Sequence, residues 1–173
     1  MKIRLLTPDD APEWWRLRQE SLTIDPEAFS SSVDDPQSLK LEDVRNRLRA
    51  DPSEFFIIGA FDDSRLSGMA GFVRDAGAKS RHKGRIWGVY VTTAKRGQGL
   101  GRKLLQAILT RSAQIEGIEQ ILISVTATQT AAVALYRSLG FESFGREPHA
   151  LKIGARYVDE EYMSLDRNRP AQK

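Results

Sequence analysis

The chain has 173 residues, of which 40% are apolar and 28% charged, with 13 Gly, 7 Pro and no Cys. That balance excludes a disordered or fibrous protein, and the length suits a single domain that buries a core without disulfide or metal staples. Without cysteine there is no thiol nucleophile, disulfide framework or thiolate site, and with only two histidines, His82 and His149, no metal is expected.

The net charge of +3 is compatible with an anionic small ligand but too weak to argue for nucleic acid. No run approaches the ~18 apolar residues of a membrane span. The N-terminal MKIRLLTPDD turns acidic where a secretory signal needs its apolar core. The expectation is a cytoplasmic protein without nucleic-acid or membrane partners.

Residues 2–6 read as a first strand. Thr7-Pro8-Asp9-Asp10 carries a cap, a proline at the first helical position and an acid three residues on, opening a helix to about Leu22 with Trp14, Leu17 and Ser21 on one face. Turn residues fill 23–36 around Phe29. Asp35-Pro36 repeats the start signal, and Leu41, Val44 and Leu48 follow at helical spacing until Asp51-Pro52. Runs at 54–61, 66–73 and 85–91 read as an antiparallel meander, with a basic glycine-containing loop at 75–84. Leu100, Leu104, Ile108 and Ile115 mark a helix over 99–115 that Gly117 ends, and the continuous apolar run 118–125 predicts a strand covered on both faces. Strand 85–91, helix 99–115 and strand 119–125 form a parallel, right-handed crossover. A helix over 129–139 stops at Gly140, and 141–147 with 156–165 form a terminal strand pair whose exposed edge would allow a homodimer. The fold class is therefore α/β (α+β): one domain over 1–166 with a mixed, mostly antiparallel central sheet and helices on both faces, followed by a flexible tail at 167–173.

The most informative segment joins Val89-Tyr90-Val91 to Arg96-Gly97-Gln98-Gly99-Leu100-Gly101-Arg102. Three alternating glycines stand where a strand ends and a helix begins, which lets the backbone approach a ligand closely. The helix's first N–H groups lack partners and favour an anion such as phosphate, and Arg96 and Arg102 add positive charge. Neither the dinucleotide fingerprint nor the mononucleotide P-loop fits this spacing. A bare turn needs fewer glycines and no arginines.

Arg96-Gly97-Gln98-Gly99-Leu100-Gly101 resembles the Arg/Gln-x-x-Gly-x-Gly/Ala pyrophosphate loop of the GNAT superfamily of N-acetyltransferases, and Val89-Tyr90-Val91 resembles the strand before it. Gln129, Ala132, Leu135-Tyr136 and Leu139-Gly140-Phe141 resemble that family's second signature, with Gln129 in place of its asparagine. The resemblance implies acetyl-CoA as cofactor and an amine of a small molecule or peptide as acceptor. It also implies that strands 85–91 and 119–125 splay apart, that the backbone of Val89 and Val91 pairs with the pantetheine amides, and that the 96–102 loop holds the pyrophosphate.

Direct attack of an amine on a thioester passes through a tetrahedral oxyanion, which the Val91 N–H or its neighbour would stabilise. Tyr136 alone reads as a core aromatic of an amphipathic helix; the signature makes it the acid that protonates the leaving thiolate. The general base is unassigned: Glu27, Glu54, Asp159, Glu160 and Glu161 are available but read as surface charges. Trp87 reads as core rather than acceptor wall. By the same resemblance the acceptor pocket lies between Thr23–Pro36 and Glu147–Ala155. Asp25, Glu27, Asp34 and Asp35 would there attract a cation, or simply form turns and caps. The basic stretch 79–85 reads as a solvated loop rather than an RNA contact, and neither histidine is given a role. A non-catalytic acyl-CoA sensor and a nucleotide-binding protein are the competing classes.

Overall fold

A computed structural model describes residues 1–32 and 40–168. The Asp34, Asp35 and Pro36 expectations lie outside the described residues, as does the tail beyond 168. The elements are β1 (Lys2–Leu5), α1 (Ala11–Ile24), α2 (Leu41–Arg47), β2 (Phe55–Asp62), β3 (Arg65–Arg74), β4 (Lys83–Val91), α3 (Leu100–Ser112), β5 (Gln120–Thr126), α4 (Thr130–Ser138), β6 (Glu142–Ile153) and β7 (Arg156–Asp166). They form one seven-stranded sheet in the order β1-β2-β3-β4-β5-β7-β6, antiparallel except for β4 against β5.

The expected order of elements is the observed one, with local differences. The Thr7-Pro8 signal opens a short 3-10 turn, Pro8–Asp10, in which the Thr7 N–H donates to Asp10 at 2.7 Å, and α1 follows. The terminal strands run longer than expected, because the hairpin continues to Ile153 and Arg156. Arg167, expected in the tail, is held against α3: its guanidinium donates to the Leu109 and Ser112 carbonyl oxygens at 2.7 Å each.

Period-two alternation explains the two-layer core. From β2, Phe56, Ile58 and Ala60 face α3 and α4, while Ile57 and Phe61 face α1 and α2. Trp14 and Leu17 anchor α1 with essentially no exposure, each contributing about 1.5–3 kcal/mol by burial. The expectation that β5 is covered on both faces fails at Ser124, which is exposed. Helices α1 and α2 cover the half of the sheet around β2 and β3, and α1 packs on β3.

Candidate active site

The site is opened by one irregularity in β4. Gly88 has φ +62°, and the β3–β4 register shifts between Met69 and Gly71, so β4 carries a bulge. Bulges bend a strand away from its neighbour. Accordingly the β4–β5 pairing runs from Lys83↔Gln120 only to Ile86↔Ile123, although β4 continues to Val91 and β5 to Thr126. Alternate residues of an antiparallel strand send both backbone groups to the same neighbour. The Thr92 N–H is bonded to the Ser67 carbonyl oxygen, which turns Tyr90 toward β3 and Val89 and Val91 toward the gap.

The gap leads to the start of α3. Gly99 there has φ +74°, a left-handed conformation that favours glycine, and the α3 N-terminus follows at once. The cleft so formed encloses about 440 Å³ and is lined by β4, β5, the glycine turn and α4. Val89, Tyr90, Val91, Arg96, Gly97, Gly99, Leu100, Gly101, Arg102, Gln129, Ala132 and Tyr136 all line it. Gln98 is the exception: it is exposed and donates through Nε2 to the Ala94 carbonyl oxygen at 3.3 Å, away from the cleft. An extended ligand with a terminal anionic group fits this shape, because strand edges with open backbone groups run into a glycine-lined helix N-terminus.

Both arginines of the turn are engaged. Arg96 donates to the Val91 carbonyl oxygen at 2.9 Å, forms an ion pair with Asp25, and stacks over the Tyr90 ring at 5.4 Å. Arg102 donates to the Ser138 hydroxyl at 2.8 Å. Tyr136 is 5% exposed, its ring tilts against Phe141 at 6.2 Å, and its hydroxyl has no hydrogen-bond partner among the described residues. Burial pushes its phenol well above the ordinary range, so it stays protonated.

The reading of Trp87 as core is half of the picture: it packs on Trp14 at 6.4 Å and Phe55 at 5.8 Å, and it also lines the cleft. Of the loop acids, the two that are described, Asp25 and Glu27, do not present a free negative surface. Asp25 is paired with Arg96 and Glu27 with Arg156, tying the turn after α1 to the glycine loop on one side and to the β6–β7 hairpin on the other.

None of the carboxylates considered as a base lines the cleft. Glu54 pairs with Arg81, Asp159 with Arg146 and Glu161 with Arg137. The carboxylate brought to the end of β4 is Glu20, which accepts from the Tyr90 phenol at 3.1 Å and the Thr92 hydroxyl at 2.6 Å. Burial and the Glu20 charge push the Tyr90 phenol up to about 12. Sequence reasoning missed Glu20 because it lies 70 residues from Tyr90 and, at helical spacing from Arg16, reads as a surface ion pair.

A mixed sheet pried open between two parallel strands, with a helix N-terminus at its mouth, defines an α/β domain built to receive an extended anionic ligand. The chain belongs to the acetyltransferase (GNAT) family, whose profile matches residues 12–141. It is 33% identical over 159 residues to a mycothiol acetyltransferase of Thermobispora bispora, covering 82% of this chain and 52% of that protein. It is 36% identical over 78 residues to an L-methionine sulfoximine/L-methionine sulfone acetyltransferase of Pseudomonas aeruginosa, covering 45% of each. The chain thus spans about half the length of these curated relatives. A Salmonella typhimurium protein solved with its cofactor acetyl-CoA superimposes with a TM-score of 0.84 at 20% identity, covering 100% of this chain and 97% of that one. No helix among the described residues is long and apolar enough to cross a membrane.

Proposed function

We propose that this chain is an acetyl-CoA-dependent N-acetyltransferase acting on a primary amine of a small molecule or peptide. The observation that carries the reading is the early end of β4–β5 pairing above the glycine-lined start of α3, with the buried Tyr136 on the same cleft. Bound there, acetyl-CoA would supply an activated acyl carbon that the neutral amine attacks directly, the proton shed by the nitrogen passing to solvent while the thiolate takes one from Tyr136. Val89 and Val91 offer gap-facing backbone groups to the pantetheine amides. The N–H groups from Gly97 to Arg102 receive the pyrophosphate, and Arg96 and Arg102 exchange their present acceptors for phosphate oxygens. Gln129 and Ala132 flank the arm at the start of α4. The Val91 N–H stabilises the oxyanion, and Tyr136, kept protonated by burial, donates to the departing sulfur.

The amine panel begins with L-methionine sulfone, the amino acid in the name of the Pseudomonas relative. The domain is proposed to span 1–166, and light scattering tests whether the open edge of β6 pairs two copies. Thermal-shift titration with acetyl-CoA, CoA, ATP and NAD tests the cofactor reading. A ligand at 100 times its dissociation constant stabilises by about 2.7 kcal/mol. Shifts with acetyl-CoA and CoA alone are expected. A shift with no CoA species removes the basis of the proposal, and binding without turnover of any amine assigns a sensor.

A further inference from the structure

Arg96 sits in the cleft as a cation of the chain's own. Its Nε donates to the Val91 carbonyl oxygen at 2.9 Å, its Nη2 pairs with Asp25, and its guanidinium lies over the Tyr90 ring at 5.4 Å. Asp25, Tyr90, Val91 and Arg96 all line the cleft, and Phe29 and Trp87 line it beside them. A carboxylate, a carbonyl oxygen and the face of a phenol each favour a cation, and here they converge on one. Asp25 does not depend on that cation for its position. Its N–H donates to the Ser21 carbonyl oxygen at 3.0 Å and its own carbonyl oxygen accepts from the Ala28 N–H at 2.9 Å, so the end of α1 holds it in place. Arg96 is the exposed and movable partner, on the glycine turn. The two sites proposed above both need it to move: a phosphate oxygen claims its guanidinium, and a pantetheine amide claims the Val91 carbonyl oxygen that it now occupies. Once Arg96 turns to the phosphate, the half-buried Asp25 carboxylate is left without its cation, which is costly unless another takes its place.

Building on the N-acetyltransferase reading, we propose that Asp25 is the anchor for the acceptor's ammonium, and that Arg96 stands in for that ammonium until the cofactor's pyrophosphate draws it away. An ammonium brings one positive charge and three N–H donors, enough for the carboxylate and the Tyr90 face together. One guanidinium spans Asp25 and Val91, so a nitrogen held at Asp25 arrives beside the N–H assigned to the oxyanion. The docked ammonium gives up one proton to solvent to become the neutral nucleophile. Because Arg96 and the amine compete for one carboxylate, CoA and the amine each raise the other's affinity by the same factor.

The test uses the full chain, with CoA as the unreactive cofactor and, as probe, the amine of the panel that wild type turns over fastest. By calorimetry the amine is expected to bind wild type about 3- to 30-fold more weakly without CoA than with it, the worth of an exposed ion pair and a ring contact together. Asp25→Asn frees Arg96 and removes the anchor, so its two effects have opposite signs. CoA binds about two- to fivefold more tightly, and the amine KM in thiol release rises about 10- to 100-fold. A merely structural Asp25 would weaken both. Arg96→Met leaves Asp25 open, so the amine is expected to bind the free variant within about threefold of its affinity for wild type with CoA, while CoA itself binds more weakly. Equal amine affinity with and without CoA in wild type, unchanged or weaker CoA binding in Asp25→Asn, an amine KM within about threefold of wild type in that variant, or an Arg96→Met protein whose amine binding still depends on CoA overturns the inference. Failure of wild type to bind any CoA species, or of every amine to react, overturns the N-acetyltransferase reading and the inference with it.

Discussion

Replacing Tyr136 by Phe separates chemistry from binding more cleanly than any other single change. The ring is 5% exposed and packs on Phe141, and phenylalanine preserves both features. The hydroxyl has no hydrogen-bond partner among the described residues, so its removal leaves no stranded group, and stability should move by less than about 1 kcal/mol. For a protein of this size that is a change in Tm of about 2–4 °C at most. A positioned acid is worth about 10²–10⁴-fold, or about 2.7–5.4 kcal/mol of barrier at about 1.4 kcal/mol per tenfold. The expected result is a kcat lowered at least about 100-fold with the acetyl-CoA KM within about threefold, measured by thiol release against a saturating amine. A kcat within about threefold of wild type refutes the assignment, and a Tm lowered by more than about 4 °C refutes the claim that the hydroxyl has no structural role.

Gly88→Ala tests the bulge. Space is open around the added methyl, so the cost is backbone strain at φ +62°, about 1–2 kcal/mol, read as a lower Tm; an unchanged Tm refutes the left-handed geometry. Glu20→Gln removes the charge facing Tyr90, so the phenolate titration followed by ultraviolet absorbance should move down from about 12 yet stay above the ordinary 10, because burial remains. The hydrogen bond from Arg4 holds the Asp10 carboxyl below the ordinary carboxylate range. The stability it adds is therefore complete above the unfolded value of about 3.9 and is lost as pH falls through the lower folded value. Urea midpoints of wild type and Asp10→Asn should converge on acidification through that window, and a constant gap contradicts it. Gly71→Ala puts a methyl 2.4 Å from Trp87 Cε2 in a filled core, so a loss of about 1–3 kcal/mol is expected in urea unfolding, and an unchanged midpoint means the indole can move.

Much of the molecule was readable along the chain. Apolar spacing at Trp14, Leu17 and Ser21, and at Leu100, Leu104 and Ile108, fixed which helix faces are buried. Short connections between 54 and 91 dictated the antiparallel meander, and the helix between strands 85–91 and 119–125 dictated their parallel pairing. The glycine turn was legible because a strand end, three alternating glycines and a helix start are all local features. The direction of the Gln98 side chain was not legible: a loop pattern names positions, and only the turn's path decides which side chains face the cleft.

Charge was the least legible property. Asp25, Glu27, Arg18 and Glu20 all look alike in sequence as solvated charges on or after one helix. Folding pairs Asp25 with Arg96 and Glu27 with Arg156, across 71 and 129 residues, sets Arg18 over the Phe29 ring with no acidic partner among the described residues, and brings Glu20 to Tyr90. The sequence by itself determined the elements, their order and the glycine turn between β4 and α3, because these follow from local conformational preference and hydrophobic period. Tertiary structure alone decided where β4 leaves β5 and which carboxylates are spent on arginines. Those depend on a bulge and on contacts between residues far apart in the chain, for which no local pattern exists.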